Sequence, residues 1–194
     1  MKNTERKKLR ELLIKKARIY SQPYRISDGK KFKLKRFKTD DNFDRKDIVD
    51  ADEMLNITKE ALKIAQEMLY AHDKYSLLCI FQAMDAAGKD GAIEHVIGGV
   101  NPQGCDVTSY KAPSHEELDH DFMWRAMKNM PERGRIGIFN RSYYEDVLIV
   151  RVHKEILDAQ KIPEKSKRKG IWKKRLKGIR NYENHMRNEG TIVL

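Results

Sequence analysis

A short apolar run that leads into a Gly-Lys loop is the feature that most restricts the fold of this chain. Residues 77–81 (Leu-Leu-Cys-Ile-Phe) have the length and composition of a strand buried on both faces. Gly88 and Lys89 follow after a short loop, and a helical stretch begins near Ala92. The first turn of a helix has unpaired N–H groups and a dipole that attracts anions, so this order of elements predicts a phosphate-binding loop.

The loop matches the phosphate-loop pattern G-x-x-x-x-G-K-[ST] only in part. Ala83 stands where the pattern has its first glycine, and Asp90 stands where it has serine or threonine. A glycine at position 88 permits a tight turn close to a phosphate, and the following lysine can reach its oxygens. We predict that phosphate contacts Ala87, Gly88, Lys89, Asp90 and Gly91. A plain strand-to-helix turn capped by Asp90 is the alternative.

Asp85 lies inside the predicted phosphate loop, where its carboxylate would repel an anionic ligand. A magnesium ion between them removes the repulsion, because Mg2+ is a hard cation that binds carboxylate and phosphate oxygens together. Asp85 is therefore the predicted metal ligand. The alternative is an Asx-turn, in which the side chain only stabilises the loop.

A strand predicted at residues 135–139 leads into a polar segment at 140–146. Residues just beyond the carboxyl ends of strands line the ligand crevice of an α/β sheet. Arg141 can neutralise charge on a transferring phosphoryl group, and Glu145 or Asp146 can meet a metal or its waters. The alternative is an ordinary helix N-terminus with acidic residues in its first turn.

Strands and helices alternate along most of the chain. Apolar residues recur every three or four positions in residues 52–72, which predicts a packing helix. A further strand is predicted at 106–110, and further helices at 114–130 and 172–187. The predicted fold class is α/β, with a mostly parallel sheet and helices on both faces.

The first part of the chain has a different composition. Residues 1–51 are charge-rich and contain turn signals, which indicates a mobile or peripheral extension, and residues 52–194 form the predicted main domain. Within the extension, residues 31–38 nearly alternate basic and apolar side chains, which is typical of a half-exposed surface strand.

The formal net charge of +11 is unevenly distributed. Residues 1–20 carry eight Lys/Arg against two acids, and residues 161–188 carry eleven against two, so the chain attracts polyanions such as nucleotides, polyphosphate, nucleic acid or acidic membrane.

Cys79 and Cys105 lack metal-ligand or C-x-x-C spacing, which favours two reduced thiols over a redox pair. No apolar stretch suits a membrane helix or a secretory signal, and we expect a cytoplasmic protein.

Three motifs in order resemble the polyphosphate kinase 2 family. They are FQAMDAAGKDG at 81–91, KAPS at 111–114 with WR at 124–125, and IFNRSYYED at 138–146. The resemblance runs from about residue 52 to the last residue. It implies a three-layer P-loop kinase fold similar to thymidylate kinase. It also implies phosphoryl transfer between inorganic polyphosphate and a nucleotide, with Mg2+.

The resemblance gives catalytic roles to four residues. Asp85 matches the family's metal-binding loop aspartate, Lys89 its phosphate-loop lysine and Arg141 its phosphate-contacting arginine. Glu145 is similar to the residue of the subgroup that phosphorylates both nucleoside mono- and diphosphates, where others carry asparagine.

Other matched positions fall where the family is expected to hold the acceptor nucleotide. They are Lys111, Pro113, Arg125 and Asn140. Asn140 departs from the aspartate that many members carry after the third strand, which weakens the inference of a second metal carboxylate. For Trp124 we predict a core role.

The resemblance implies inorganic polyphosphate and adenine or guanine nucleotides as partners, and we expect a homo-oligomer that binds neither membrane nor nucleic acid. Family members continue past a strand like that at 191–194 into a basic helical lid, so we expect this chain to end before the lid and to bind polyphosphate more readily than it turns over. Two other functions stay open: a kinase with a nucleoside triphosphate donor, and a noncatalytic polyanion-binding module built on the basic helix at 172–187.

Overall fold

The computed structural model describes residues 3–37, 51–168 and 170–194. The chain divides into two compact units, Met1–Ala65 and Gln66–Leu194. Helix α1 spans Asn3–Ser21, and helix α2, which the apolar periodicity predicted, spans Ala51–His72. The division of the sequence into residues 1–51 and 52–194 stays a prediction.

The basic segment predicted as a surface strand is not one. It contains a 3-10 turn at Leu34–Arg36, in which the Phe37 amide donates to the Leu34 carbonyl at 3.0 Å. The rings of Phe32 and Phe37 pack against each other with centroids 5.4 Å apart. The apolar residues therefore contact each other across a turn instead of lining one face of a strand, and Lys38 lies outside the described residues. The sequence analysis also missed α1.

The second unit contains a parallel sheet and its connecting helices. Its elements are β1 (Ser76–Phe81), α3 (Lys89–Ile97), β2 (Cys105–Ser109), α4 (His115–Leu118), α5 (Trp124–Met127), β3 (Ile136–Asn140), α6 (Glu145–Val152), α7 (Lys154–Ala159), α8 (Glu164–Arg168), α9 (Ile171–Asn188) and β4 (Thr191–Val193). The strand order is β2-β3-β1-β4, and each neighbouring pair is parallel. The predicted α/β class is confirmed.

The carboxyl ends of three strands meet at one edge of the sheet. Phe81 at the end of β1 and Ser109 at the end of β2 both stand opposite Asn140 at the end of β3. From β1 the chain crosses past β3 to reach β2, and from β3 it crosses past β1 to reach β4. The two connections therefore run in opposite directions across the sheet. Such a reversal between neighbouring parallel strands opens a ligand crevice at their carboxyl ends.

Both faces of β3 are covered, as the predicted three-layer arrangement requires. Phe139 is fully buried in a cluster that includes Ala126 of α5, Val147 of α6 and Ile179 of α9. Ile138, the preceding residue, points to the opposite face and is also fully buried. Helix α3 contacts β3 as well.

The helix predicted at 114–130 is divided into α4 and α5. The capping box at its start is present, with the Glu117 amide donating to Ser114 Oγ at 3.2 Å and the Ser114 amide donating to Glu117 Oε2 at 2.7 Å. The helix is interrupted between α4 and α5. There the Met123 amide donates to the Asp121 side chain at 2.9 Å, and this local bond competes with the hydrogen bonds of a continuous helix. The helix predicted at 172–187 is confirmed as α9.

The two cysteines are free, as the reduced-thiol interpretation requires. They lie on β1 and β2, and β3 runs between these strands, so no disulfide joins them. Burial raises the pKa of Cys79 to about 11. Within the described ranges, no helix is long and apolar enough to cross a membrane.

A carboxylate on α9 connects this helix to the segment between β3 and α6. Glu183 Oε1 accepts hydrogen bonds from the hydroxyls of Tyr143 at 2.9 Å and Tyr144 at 2.8 Å. Burial raises the pKa of both tyrosines, and the hydrogen bond to Glu183 and the charge of Glu183 raise it further. Because Glu145 comes directly after this pair, the contact ties the residues just before α6 to α9.

We expect Glu183→Ala to lower the free energy of unfolding by about 1–3 kcal/mol, because it leaves the Tyr143 hydroxyl buried without its partner. Urea unfolding followed by circular dichroism measures the change. Glu183→Gln keeps a side-chain oxygen as acceptor and should lose less. Equal stability of the alanine variant and the unmodified chain would show that the contact contributes nothing.

Candidate active site

The loop after β1 presents free backbone amides at the start of α3. Gly88 precedes α3 with φ of 78°, a left-handed conformation that glycine adopts without strain. The first intrahelical bond runs from the Ala92 amide to the Gly88 carbonyl at 2.9 Å. The amides of Lys89, Asp90 and Gly91 therefore lie outside the ladder, as an anion-binding helix start requires. Ala87, just before them, is exposed, and its amide donates to the Met84 carbonyl at 3.3 Å.

The side chains at this helix start bond to one another. Asn140 Nδ2 donates to Asp90 Oδ1 at 2.6 Å, and Lys89 Nζ reaches the same oxygen at 3.3 Å. The hydrogen bond from Asn140, followed by that from Lys89, lowers the pKa of Asp90. The Asp90 side chain therefore links the loop to the end of β3. It does not cap α3, so the predicted Asp90 cap of the plain-turn alternative is wrong, and phosphate binding by this loop stays a prediction.

Arg141 reaches from the end of β3 to the phosphate loop. Its φ is 64°, which is unusual for a residue other than glycine, and its amide donates to the Phe81 carbonyl at 2.9 Å. Its guanidinium forms an ion pair with Asp85, whose side chain is 87% exposed. Asp85 thus has an accessible carboxylate at the carboxyl edge of the sheet. Backbone strain of this kind is concentrated at functional sites.

Glu145 is held close to the same arginine. Its Oε1 accepts a hydrogen bond from Gln82 Nε2, and its Oε2 lies 3.9 Å from Arg141 Nη1. Ser142 Oγ in turn donates to Gln82 Oε1 at 3.3 Å. Gln82, which the sequence analysis did not single out, therefore fixes the Glu145 carboxylate from the first residue after β1.

Two neighbouring cavities open at this edge of the sheet. The smaller, about 390 Å³, is lined by Lys89, Asp90 and Asn140 among others. The larger, about 720 Å³, extends between α6 and α9 and has Glu145 in its wall. Four residues belong to both cavities: Tyr110, Lys111, Ala112 and Arg141. The phosphate loop and the larger cavity therefore meet at a shared pair of cations, Lys111 and Arg141.

The residues predicted near an acceptor nucleotide lie at these cavities. Lys111, Pro113 and Arg125 line the larger one, and Asn140 lines the smaller. Arg125 is buried and donates to the Lys111 carbonyl at 2.8 Å, so it also holds the Lys111 loop in place. The Trp124 core prediction is wrong. This half-buried ring stacks on His120, with centroids 3.9 Å apart.

A buried polar network that the sequence did not reveal forms one wall of the larger cavity. Asp146 Oδ1 accepts from Gln160 Nε2 at 2.8 Å, and Arg175 donates to the Asp146 carbonyl at 2.9 Å and to Gln160 Oε1 at 2.5 Å. Burial raises the pKa of Asp146 and lowers that of Arg175. Asp146 Oδ1 is held in this network, and a contact of Asp146 with a metal or its waters stays a prediction.

The side chains near Asp85 fit a magnesium ion that is held jointly by protein and substrate better than one held by protein ligands alone. Among the residues that the structure describes, no group of three or more His, Cys, Asp or Glu could hold a metal. Mg2+ commonly takes one or two carboxylates and completes its shell with water and substrate phosphates. Asp85 supplies one exposed carboxylate beside the loop amides, which fits that arrangement.

Comparison with known proteins identifies relatives along most of the chain. The profile of the Polyphosphate kinase 2 (PPK2) family matches residues 44–194. The ADP-polyphosphate phosphotransferase of Rhodopseudomonas palustris is 47% identical over 91% of this chain and 62% of its own length. The AMP/ADP-polyphosphate phosphotransferase of Meiothermus ruber is 41% identical over 88% of this chain and 60% of its own length.

A solved structure shows the same fold. The crystal structure of Polyphosphate Kinase 2 from Arthrobacter aurescens TC1 superposes with a TM-score of 0.72 at 34% identity, over 86% of this chain and 56% of that one. The chain thus spans about 60% of the length of the curated relatives it matches. With the family profile covering residues 44–194, this chain belongs to the polyphosphate kinase 2 family.

Proposed function

We propose that this chain transfers a phosphoryl group between inorganic polyphosphate and AMP or ADP, with Mg2+. One observation carries the proposal: the cavity at the phosphate loop and the larger cavity share Lys111 and Arg141. A donor and an acceptor bound in the two cavities would bring their terminal phosphates together between these cations. Relatives named as AMP/ADP- and ADP-polyphosphate phosphotransferases support the same reaction.

The donor polyphosphate binds at the start of α3. The amides of Lys89, Asp90 and Gly91 point away from the helix ladder and provide hydrogen-bond donors for phosphate oxygens. The Lys89 side chain is only 9% exposed and contacts Asp90 in the free protein. A phosphate at the loop draws its ammonium group from Asp90 onto phosphate oxygens, so Lys89 positions the donor chain.

The acceptor nucleotide binds in the larger cavity, with its terminal phosphate toward Lys111 and Arg141. An oxygen of that phosphate attacks the terminal phosphorus of polyphosphate, a new P–O bond forms, and the bond to the rest of the polymer breaks. The polymer leaves one phosphate shorter. The attacking oxygen is already anionic, so positioning and charge neutralisation suffice and no protein nucleophile is needed.

Mg2+, when bound, would supply positive charge that offsets the negative charge of the phosphates. Asp85 is the residue that would hold it. Asp85 pairs with Arg141 in the free protein, so both groups would exchange this ion pair for the cation and for phosphate oxygens when substrate binds. Glu145 Oε2 lies 3.9 Å from Arg141 Nη1 and keeps a negative charge beside the guanidinium.

Two other functions predict different results. A kinase with a nucleoside triphosphate donor would need that triphosphate and make no ATP from polyphosphate. A noncatalytic polyanion-binding module on α9 would keep its binding when Lys89 is lost, and that binding would fall steeply with salt. The shared position of Lys111 and Arg141 favours transfer over a noncatalytic basic surface, and the names of the relatives favour polyphosphate over a triphosphate as donor.

We also propose a cytoplasmic location, which the two free cysteines support because disulfides are rare in reducing compartments. The expected homo-oligomer stays a prediction.

We expect Lys89→Ala to lower the rate of ATP formation from polyphosphate and ADP by about 10²–10³-fold, as for loss of one donor to a transferring group. A luminescence assay for ATP, with Mg2+ and no added triphosphate, measures it. Lys173→Ala removes an exposed lysine of α9 outside both cavities and should keep the rate of the unmodified chain. An unchanged rate in Lys89→Ala would contradict the proposed donor site.

Asp85→Asn should raise the Mg2+ concentration for half-maximal ATP formation several-fold, because a neutral amide binds a hard cation more weakly than a carboxylate. A magnesium titration at fixed polyphosphate and ADP measures this value. Asp158→Asn removes an exposed carboxylate of α7 and serves as the matched control. The metal assignment fails if both variants need the same magnesium concentration as the unmodified chain.

A further inference from the structure

One face of α9 forms part of the larger cavity and contains a gap. The four residues that line the cavity are spaced as one helical stripe: Ile171, Lys174, Arg175 and Gly178. The first three present long side chains, and the fourth presents only backbone. Gly178 is exposed at the end of this stripe.

The position of Gly178 along the cavity follows from the contacts on either side of it. Arg175, one turn earlier on α9, donates to the Asp146 carbonyl at 2.9 Å. Glu183, five residues later, accepts from the Tyr143 hydroxyl at 2.9 Å. Along the axis of α9, Gly178 therefore lies between these two contacts, and it lines the larger cavity.

Nothing in the surrounding fold explains a glycine at this position. Its φ is not in the left-handed region, and a Cβ added to it meets no atom of the described residues within 4 Å. Glycine is also among the least favourable residues for a helix interior. Neither backbone conformation nor packing against the described residues requires it, so the missing side chain leaves space for something that enters the cavity.

The cavity chemistry indicates which part of a nucleotide occupies that space. Lys111 and Arg141 mark the end toward the phosphate loop, whereas Ile149, Ile156 and Ile162 provide apolar wall further in. The amides in the middle of a helix are already bonded within it, so bare helix backbone offers no donors to a phosphate. It offers a flat surface for van der Waals contact, which suits an uncharged ring.

We propose that the nucleoside of the acceptor nucleotide lies against the bare backbone of α9 at Gly178. This inference rests on the proposed function and adds a contact that sets how deeply the nucleoside enters. Gly178 is then a specificity-determining residue: any side chain there displaces the ring from the wall and moves the attached phosphate away from Arg141.

The test is Gly178→Ala in the 194-residue chain, with NMR titrations of AMP and, separately, of inorganic tripolyphosphate. We expect AMP affinity to fall about 10-fold, the usual effect of one misplaced methyl-sized group in a pocket. Tripolyphosphate affinity should stay unchanged. The melting temperature should rise by about 2–4 °C, because alanine is the better helix former. Asn184→Ala, at an exposed position of α9 outside both cavities, is the matched control and should not change AMP affinity.

The other outcomes overturn the inference in distinguishable ways. If AMP affinity stays unchanged in Gly178→Ala while the unmodified chain binds AMP, the inference fails and the proposed function survives. If the affinities for AMP and tripolyphosphate fall together, the residue acts through the fold and makes no nucleoside contact. If the unmodified chain binds tripolyphosphate but no AMP, the acceptor half of the proposed function fails with it.

Discussion

Parallel pairing in register between β1, β2 and β3 is the constraint on which the candidate site depends. Phe81, Ser109 and Asn140 end their strands at the same level, so the three segments that follow begin side by side. Lys89, Lys111 and Arg141 lie on those segments, although more than twenty residues separate each from the next. A shift of one residue in either strand pair would turn the strand side chains to the opposite faces and separate these groups.

The free protein balances the charges of the site internally. Arg141 pairs with Asp85, and Lys89 and Asn140 both bond to Asp90. The proposed polyphosphate would therefore meet a lysine and an arginine that already have partners, and it would exchange with carboxylates that are exposed and easily solvated. Surface ion pairs contribute little to stability, so this exchange costs little. The arrangement keeps the cations oriented toward the crevice without making them unavailable.

The sequence predicted the parts of this fold that depend on local pattern. The apolar run of β1, the stripe of α2 and the capping box at Ser114 each leave a local signal, and each element is present. The strand predicted around Phe32 and Phe37 failed because alternation alone does not supply a partner strand. The network of Asp146, Gln160 and Arg175 could not be predicted, because its members come from three separate segments and contact only in the folded chain. Gln82 was missed for the same reason, since its partner Glu145 lies 63 residues away.

A crystal structure of this chain with tripolyphosphate and Mg2+ tests the central claim most directly. The account predicts phosphate oxygens against the amides of Lys89, Asp90 and Gly91, with Lys89 Nζ moved from Asp90 onto the ligand. It also predicts a cation between the ligand and Asp85, and Arg141 released from that carboxylate. Tripolyphosphate bound along the basic face of α9, with Lys89 still on Asp90 and Arg141 still on Asp85, would contradict it.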